Sequence, residues 1–594
     1  MFGRLLLPLA ALAALSTPLA AQAPGHSSAA PDLSCDRNCL IGALDAYMAA
    51  LAARTPSALS LAGTVRFTEN NVVLPLGKGL WGTVTAVDQH GLEVADPETG
   101  NAAWFGSVRE NGKPAIFAVR LHLSNGRIDE IESVVHRKTA LPAPFGDVTK
   151  MQHDAAFQEI LPPAQRRSRE RLVAIADSYF NTVERNDGQV FAPFDEDCGR
   201  LENGISTTSG GTGGNAAAIA QGCEAQFKLG IYRINKRVRE RRYPLVDVER
   251  GIVVASGFFD HANEFDRYTL TNGREMKTAL KWPNSITLLE AFRIKDAKIH
   301  RIEAVFTYVP YFMHNPWAGP AATPPSHEPE PAVCNDACLA GLAGKVMNAY
   351  VSREWQALPW AKAVGYAENS VGLQIGEGIW GTVTARSDRP LVIADSRTGK
   401  AVWIGGIEEH GQPAWAAVTI TGAGDRIGGI DALIHRSEYG PPWAPPSAMP
   451  TVSTLPKASR MSRNAMLGAV ERFYEAINRH DGTVPANVAK GCNWVINGQE
   501  LAPCAGPFTG GALQPLARVR NRELLAVDEA RGLVVFSTLE DFPAIGRKAA
   551  DASAPAADYP RTLQVVELFR FADGALQRVE AFTSELPFGM SPHR

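Results

Sequence analysis

The sequence predicts an α+β fold of tandem cone-shaped domains, each a long helix on a curved antiparallel sheet. The first helix is indicated by apolar residues at helical spacing: Leu40, Leu44, Tyr47, Met48 and Leu51. Strand-like segments follow it, joined by short turns such as Glu110-Asn111-Gly112 that are typical of hairpins. The whole pattern then returns further along the chain. A helix on a bent sheet leaves a hollow, which is a natural site for a small ligand.

The individual elements can be placed in two successive blocks, A and B. In block A we expect strands near Leu80–Val87, Ala102–Val108, Pro114–Leu123 and Arg127–Arg137. Block B opens with a second helix, marked by Leu172, Ile175, Tyr179 and Val183 and ended by Gly188. Its strands are expected near Pro244–Val248, Gly251–Phe259, Ile286–Ile294 and Lys298–Val309.

Both blocks occur twice. The segment Gly79–Thr85 returns as Gly378–Thr384, 299 residues later, and the same offset takes Cys35 to Cys334. In block B, Asp187 corresponds to Asp481 at an offset of 294. The order is therefore A1-B1-A2-B2, with Pro-rich connectors between blocks. We expect domains at residues 35–140 (A1), 164–315 (B1), 334–440 (A2) and 460–594 (B2), with intramolecular pairing between them.

The N-terminus has the features of an export signal. Arg4 precedes a short apolar run, and Ala21-Gln22-Ala23 fits a cleavage site, so residues 1–23 are predicted to be a signal peptide. The apolar run is shorter than the roughly 20 residues that cross a bilayer, and we expect no membrane span. The protein is therefore predicted to be secreted or periplasmic.

The cysteines fit an oxidising compartment, because their number is even. The B-block loops Cys198–Cys223 and Cys492–Cys504 differ in length while their end cysteines keep their places, as a loop-closing disulfide predicts. The pairs Cys35–Cys39 and Cys334–Cys338 are expected to close within a helical turn. Zinc binding is the rival interpretation, disfavoured because no pair has Cys-x-x-Cys spacing.

Composition and motifs narrow the range of possible functions. The formal net charge is −3, and acidic and basic residues nearly balance, which does not favour a nucleic-acid partner. No Walker loop, Gly-x-Ser-x-Gly or His-Glu-x-x-His motif is present. We expect no cofactor and no metal, and a small organic ligand as the partner.

Helices that end in Asp-Gly, followed by a loop and long hairpins, mark both B blocks: Arg185-Asn186-Asp187-Gly188 in B1 and Asn478-Arg479-His480-Asp481-Gly482 in B2. This pattern resembles the nuclear-transport-factor-2-like superfamily, the cone fold of ketosteroid isomerase, scytalone dehydratase and SnoaL-type polyketide cyclases. The Asn three residues before the Asp is present only in B2, as Asn478. Block A, with Val65–Asn70 and Gly79-Leu80-Trp81, is similar to a secreted fungal and bacterial family of unknown function. The resemblance implies the fold and leaves the chemistry open.

The candidate catalytic residues lie in B1. Glu290 shares a strand face with Leu288 and Phe292, so its carboxylate is predicted to have a raised pKa and to act as acid or base. His261 or Tyr308 would polarise the substrate. In B2 the equivalents are Glu567, Phe542 and Glu585, so one partner is lost there. The alternative is that Glu290 pairs with a buried arginine such as Arg233.

The candidate ligand-binding residues lie in the A blocks: Glu69, Asn70 and Trp81 in A1, and Glu368, Asn369 and Trp380 in A2. A carboxylate and an amide at a cone mouth could bind hydroxyls, and the indole could stack on a ligand. The alternative gives the Asn a left-handed turn position, the Glu a role in capping a backbone amide, and the Trp a place in the core.

Three functions remain open at this point. The first is a cofactor-free isomerase, dehydratase or lyase that acts on a small, partly apolar molecule. The second is a non-catalytic ligand-binding or assembly module. The third is a structural protein whose domains pack face to face, with Trp81 and Trp380 buried between blocks.

Overall fold

The computed structural model describes residues 35–88, 90–139, 141–208, 221–319, 334–439, 443–509, 516, 518–545 and 559–592. The predicted signal peptide, residues 1–23, lies outside them. The described chain is mixed α and β, mostly sheet with few helices, and the α+β prediction is confirmed. No helix among the described residues is long and apolar enough to cross a membrane.

The two A domains have the same succession of strands, and the 3₁₀ turn Gly378–Trp380 of A2 stands where A1 has a four-residue helix. A1 contains α1 Arg37–Ala53, β1 Leu61–Glu69, β2 Val72–Val73, α2 Leu80–Thr83, β3 Val84–Val87, β4 Leu92–Asp96, β5 Asn101–Glu110, β6 Lys113–Ser124 and β7 Arg127–Arg137. A2 contains α5 Asp336–Ser352, β16 Trp360–Glu368, β17 Val371–Gly372, β18 Val383–Arg386, β19 Leu391–Asp395, β20 Lys400–Glu409, β21 Gln412–Ala423 and β22 Arg426–Arg436.

The two B domains also correspond to each other, and within the described part of the chain one further hairpin is present in B1. B1 contains α3 Arg169–Arg185, β8 Phe194–Glu202, β9 Ile205–Ser206, α4 Cys223–Leu229, β10 Arg237–Asp247, β11 Ile252–His261, the hairpin β12 Arg267–Thr269 and β13 Glu275–Lys277, β14 Asn284–Lys295 and β15 Lys298–Val309. B2 contains α6 Arg463–Arg479, β23 Val488–Ile496, β24 Gln499–Pro503, α7 Gly506–Thr509, β25 Arg518–Asp528, β26 Leu533–Phe542, β27 Arg561–Ala572 and β28 Ala575–Pro587.

Blocks A and B share one sheet topology, which sequence comparison did not find. The strand order in A1 is β2-β1-β7-β6-β5-β3, and the order in B1 is β9-β8-β15-β14-β11-β10. In both sheets the first long strand pairs parallel with the last, and the other pairs along these paths are antiparallel. The chain therefore contains four copies of one sheet arrangement, in which each A domain adds one short strand next to β5 or β20.

An asparagine occupies the same position in each of the four domains. Asn70, Asn203, Asn369 and Asn497 each follow the first long strand of their domain and have a φ between 45° and 48°. The side-chain oxygen of each accepts a hydrogen bond, at 2.8–2.9 Å, from a backbone amide of the last strand. Asparagine suits this place because it tolerates the left-handed conformation and its amide can bond the neighbouring backbone.

Each long helix packs on one face of its sheet. In A1, Leu40, Leu44 and Tyr47 of α1 share a buried cluster with Trp104 and Phe117 of the sheet. The four predicted disulfides are formed: Cys35–Cys39, Cys198–Cys223, Cys334–Cys338 and Cys492–Cys504. The A-domain pair fastens the start of the helix, and the B-domain pair closes the loop beyond the first long strand.

One predicted strand is partly wrong. Residues Leu80–Thr83 form a short helix, and the strand begins only at Val84. The reason lies in Gly79, which has a φ of 66° and meets the carboxylate of Glu69: an added Cβ would lie 2.4 Å from Glu69 Oε2. Only glycine allows this approach, through which Glu69 accepts a hydrogen bond from the backbone N–H of Leu80 at 2.7 Å.

The opposite face of each A sheet packs on a B sheet. Between A1 and B1 a buried cluster includes Phe105 and Val134 from one sheet and Val254, Leu289 and Val305 from the other. A2 and B2 share the equivalent cluster. In both units an aspartate at the end of β4 or β19 accepts a 3.0 Å hydrogen bond from the B-domain backbone, Asp96 from Val246 and Asp395 from Val527.

The two A–B units also contact each other reciprocally. Asn111 of A1 donates a hydrogen bond to the carbonyl of Ala544 in B2 at 3.0 Å. His410 of A2 lies 2.7 Å from the carbonyl oxygen of Asn263 in B1. Each unit therefore presents the tip of its A sheet to the B domain of the other, an exchange that encloses space between the two units.

Candidate functional site

A cavity with a volume of about 520 Å³ lies where the four domains meet. This volume is within the range of roughly 300–1,000 Å³ common for small-molecule sites. Every domain supplies part of the wall. The lining includes Glu69, Asn70, His136 and Arg137 of A1, Trp282, Asn284 and Tyr308 of B1, Glu368 and Asn369 of A2, and Tyr559, Arg561, Ser584 and Glu585 of B2. We refer to this space as the central cavity.

Five of the nine sequence-predicted site residues line the central cavity. They are Glu69, Asn70, Glu368, Asn369 and Tyr308. Four of these five residues lie at equivalent places in the two A domains. Glu69 and Glu368 end the first long strand of their domains, and Asn70 and Asn369 follow directly. The ends of these two strands face the same space. Glu290, His261, Trp81 and Trp380 are not part of its wall.

The carboxylate of Glu69 is engaged inside the protein. Its Oε2 accepts from Leu80 N, and its Oε1 accepts from Arg137 Nη2 at 2.9 Å. Arg137 also donates from Nε to Glu110 Oε2 at 2.6 Å. Burial raises the pKa of Glu69. Burial alone would lower the pKa of Arg137, but Glu110 and Glu69 hold it above its usual value.

A2 repeats this cluster with one additional hydroxyl. Glu368 accepts from Ile379 N at 2.8 Å and from the Tyr366 hydroxyl at 3.1 Å. Arg436 bonds Glu409 at 2.6 Å and lies 3.6 Å from Glu368. Burial raises the pKa of Glu368 to about 7. In each A domain, therefore, the glutamate on the cavity wall belongs to a buried cluster that includes an arginine.

The B domains give the central cavity two chemically different walls. Trp282, Asn284 and Tyr308 of B1 correspond to Tyr559, Arg561 and Glu585 of B2, each at an offset of 277. The Tyr559 hydroxyl donates to Glu585 at 2.7 Å, and the guanidinium of Arg137 lies 5.5 Å from the centre of the Tyr559 ring. One wall is thus mainly aromatic and uncharged, whereas the other carries a charge pair.

Three residues of the cavity wall have a buried polar atom without a hydrogen-bond partner among the described residues: His136 Nδ1, Ser584 Oγ and Arg561 Nε, the last of which lies 3.7 Å from Glu585 Oε2. The other nitrogen of His136, Nε2, lies 3.0 Å from the carbonyl oxygen of Pro144 and donates to it. Burial lowers the pKa of His136 to about 4, so the ring is neutral at pH 7 and Nδ1 is an acceptor. Buried polar groups usually find partners, and a ligand in the cavity would supply them.

The structure does not bring the predicted catalytic trio together. Glu290 pairs across the sheet with Ala255 and Ala304, so His261 lies six residues away along β11 and Tyr308 four residues away along β15. At roughly 3.3 Å per residue these separations are about 20 Å and 13 Å, too far for direct contact. All three side chains share one face of the sheet, but they do not form one acid–base group.

Glu290 is sealed in the B1 core, 2% exposed. Burial, reinforced by Glu202, raises its pKa to about 8, while Arg200 and a hydrogen bond from Tyr179 act against this rise. Arg233, which the sequence suggested as its partner, is exposed and bonds the carbonyl of Thr269 instead. Oε2 of Glu290 has no hydrogen-bond partner among the described residues.

His261 contacts a residue of the cavity wall, whereas Trp81 and Trp380 lie away from the cavity. The ring nitrogens of His261 contact Asn284 Oδ1 at 2.9 Å and Asn235 Oδ1 at 2.7 Å, so His261 orients a cavity residue. Trp81 and Trp380 are buried inside A1 and A2, against Tyr47 and Tyr350 of the long helices. The expectation that they lie between blocks is wrong, because the short helix after Gly79 or its equivalent turns them inward.

Sequence reasoning missed most of the B-domain wall. The signal was present as an aromatic-Pro-polar triplet, Trp282-Pro283-Asn284, which returns as Tyr559-Pro560-Arg561. The repeat of this triplet is hard to recognise because its first and third residues differ between B1 and B2. Ser584 could not have been selected from the sequence, since only the domain arrangement buries it on a cavity wall.

Comparison with known proteins identifies the B domains alone. Residues 165–306 and 459–583 each match the family model described as "Domain of unknown function (DUF8021)". Both B domains therefore match the same family model. The matched residues make up less than half of the chain, and the A domains lie outside them. No curated protein matches the chain.

Among the described residues there is no group of three or more His, Cys, Asp or Glu side chains placed to hold a metal ion.

Proposed function

We propose that the protein is an exported binding protein that holds one small, neutral, partly aromatic molecule with hydroxyl or amide groups in the central cavity. The observation that carries this proposal is the pair of buried polar atoms without a partner among the described residues, His136 Nδ1 and Ser584 Oγ, in side chains that line a cavity of ligand size. A donor on the ligand would satisfy His136 Nδ1, and either a donor or an acceptor would satisfy the Ser584 hydroxyl. The four disulfides are in keeping with export.

The charge of the wall supports a neutral ligand. The formal charges of four basic side chains, Lys113, Arg137, Lys138 and Arg561, cancel those of four acidic ones, Glu69, Glu368, Glu438 and Glu585, and burial raises the pKa of Glu368 to about 7. His136 and His435 add no charge at neutral pH, because burial lowers the pKa of each to about 4. Aromatic side chains from both B domains, including Trp282 and Tyr559, offer faces for an apolar ring.

A suitable probe is 2-naphthol, a neutral aromatic molecule with one hydroxyl. We expect one molecule to bind per chain, measured by calorimetry. Thr307 lines the cavity, so Thr307→Trp should fill it and abolish binding. The matched control Thr384→Trp, at an exposed position, should bind as the natural protein does. Equal binding by both variants would exclude the central cavity as the site.

A finer variant tests the orphan acceptor itself. Ser584→Ala removes Oγ and little volume, so it should weaken binding of 2-naphthol by about two- to tenfold, equivalent to about 0.5–1.5 kcal/mol for one hydrogen bond. Its binding of naphthalene, which lacks the hydroxyl, should not change. A loss of affinity for both probes would indicate a change of cavity shape rather than a lost hydrogen bond.

The second candidate function is proton-transfer chemistry of the isomerase, dehydratase or lyase type in a cone-shaped B1 domain, as the resemblance to the nuclear-transport-factor-2-like superfamily implies. The specific observation in its favour is Glu290, buried, with a pKa of about 8 and a partnerless Oε2. A reaction there requires substrate to enter the B1 core. Glu290→Gln should then abolish turnover of any ligand found, and it should leave 2-naphthol binding intact under the binding proposal.

A further inference from the structure

The wall of the central cavity contains the uncovered edges of two β-strands. In B1, β8 pairs with β15 only as far as Ala304, and β15 continues to Val309. In B2, β23 pairs with β28 only as far as Ala581, and β28 continues to Pro587. Both extensions contribute to the cavity wall. The last strand of each B sheet therefore runs past the end of its parallel neighbour and borders the cavity.

An asparagine closes the parallel pair in B1 and fixes the direction of the backbone groups beyond it. Asn203 Oδ1 accepts from the N–H of Phe306 at 2.9 Å, and Asn203 Nδ2 donates to the carbonyl of Phe306 at 3.0 Å. Both backbone groups of Phe306 therefore point to the β8 side. Since this side alternates from one strand residue to the next, the N–H and C=O of Tyr308 point the same way, past the end of β8.

The same arrangement returns in B2. The N–H of Thr583 donates to Asn497 Oδ1 at 2.9 Å, and its carbonyl oxygen lies 2.8 Å from His435 Nδ1. By the same alternation, Glu585 presents its N–H and C=O to the open side of β28. In the described part of the chain, no hydrogen bond uses the backbone N–H or C=O of Tyr308 or Glu585, because β14 and β27 bond the alternate residues.

A proline limits each open edge. Pro310 and Pro587 are the next residues whose N–H would point to this side, and proline has no N–H. Both prolines also line the central cavity. Each edge thus offers one N–H, enough to pair with one amino-acid residue, and the proline prevents a longer strand from adding to the sheet.

From these open edges we infer that the ligand of the central cavity is an aromatic amino acid with both ends in amide linkage, held by backbone hydrogen bonds to Tyr308 or Glu585. An unpaired strand edge binds such a residue as it binds another strand, with one N–H donated in each direction. A neutral amide suits the cancelling formal charges of the wall, and its ring can pack on Trp282 or Tyr559. The inference rests on the proposed function and narrows it to one class of ligand.

The test uses the full chain and titration calorimetry. N-acetyl-L-phenylalanine methylamide should bind, one molecule per chain, and displace 2-naphthol. Its analogue O-acetyl-L-phenyllactic acid methylamide has an ester oxygen in place of the amino-acid N–H, so it should bind at least about fivefold more weakly, because a strand carbonyl loses its donor. Equal binding of the two would overturn the inference. Binding of 2-naphthol without binding of the amide would refute this inference alone, whereas binding of neither would also remove the proposed function.

Variants locate the hydrogen bonds. Tyr308→Pro and Glu585→Pro remove the N–H at an open edge, and the matched controls Tyr308→Ala and Glu585→Ala lose the same side chain but keep the N–H. At one edge or both, the proline variant should bind N-acetyl-L-phenylalanine methylamide at least about fivefold more weakly than the alanine variant.

The proline variants should fold, because these N–H groups point away from β14 and β27 and no ladder hydrogen bond is lost. Their thermal unfolding midpoints check this. Folded proline variants that bind as well as the alanine variants at both edges would refute the inference. If a proline variant does not fold, the comparison of amide and ester in the natural protein decides.

Discussion

The pH dependence of the free energy of unfolding should show whether the buried carboxyl group of Glu290 is protonated or ionised in the folded protein. Its pKa is about 8 in the folded protein, against 4.5 for an ordinary glutamate, and burial is the main cause. The unfolded chain therefore loses the proton at a lower pH than the folded chain does. Above pH 4.5 the folded state carries the extra proton, and stability falls as the pH rises until about pH 8.

The perturbation is Glu290→Gln, which keeps the shape of the side chain and removes the ionisation. One pKa unit corresponds to about 1.4 kcal/mol, so the variant should gain stability relative to the natural protein by up to about 1.4 kcal/mol per pH unit. Between pH 5 and pH 7 the gain amounts to about 2.7 kcal/mol. Above about pH 8 the difference should become constant.

The assay is urea unfolding at pH 5, 6, 7 and 8, with the free energy of unfolding of the natural protein subtracted from that of the variant at each pH. This subtraction removes the pH dependence of all other groups. Glu354→Gln, at an exposed position, is the control and should give a difference that does not depend on pH. A flat difference for Glu290→Gln, or one that falls with pH, would show that Glu290 is ionised in the folded protein.

Three further predictions concern the structural clusters. Arg137→Met leaves the buried carboxylates of Glu69 and Glu110 without their cation, and urea unfolding should show a loss of about 3–5 kcal/mol; a loss below 1 kcal/mol would mean that the cluster is not a buried ion pair. Gly79→Ala forces a Cβ to within 2.4 Å of Glu69 Oε2, whereas Gly126→Ala, with a similar φ and nothing within 4 Å, is its matched control. The control should cost about 1 kcal/mol and Gly79→Ala clearly more, and equal losses would contradict the proposed contact. Replacing both cysteines by serine should cost about 3.5 kcal/mol for Cys198–Cys223 and about 2.8 kcal/mol for Cys492–Cys504, following their loop lengths, and an inverted order would contradict the loop-closure explanation.

The sequence alone determined the features that depend on local pattern and on repetition. The α+β class follows from helical and alternating spacing, and the disulfides follow from cysteines that keep their places while a loop changes length between Cys198 and Cys223. The raised pKa of Glu290 was also predictable, since Leu288 and Phe292 share its face of the strand. Spacing along one strand decides which face a side chain occupies, and that is local information.

Only the tertiary structure decided which residues share a cavity. His136 belongs to A1, whereas Ser584 and Tyr559 belong to B2, and the exchange of sheet tips between the two units brings them together. The fourfold topology stayed hidden for the same reason, because asparagines 70, 203, 369 and 497 share a backbone role while the residues around them differ. Likewise, the short helix after Gly79 depends on the carboxylate of Glu69, ten residues earlier in the chain. Contacts between distant residues carry no periodic signal in the sequence, so the cavity walls emerge only when the domains pack.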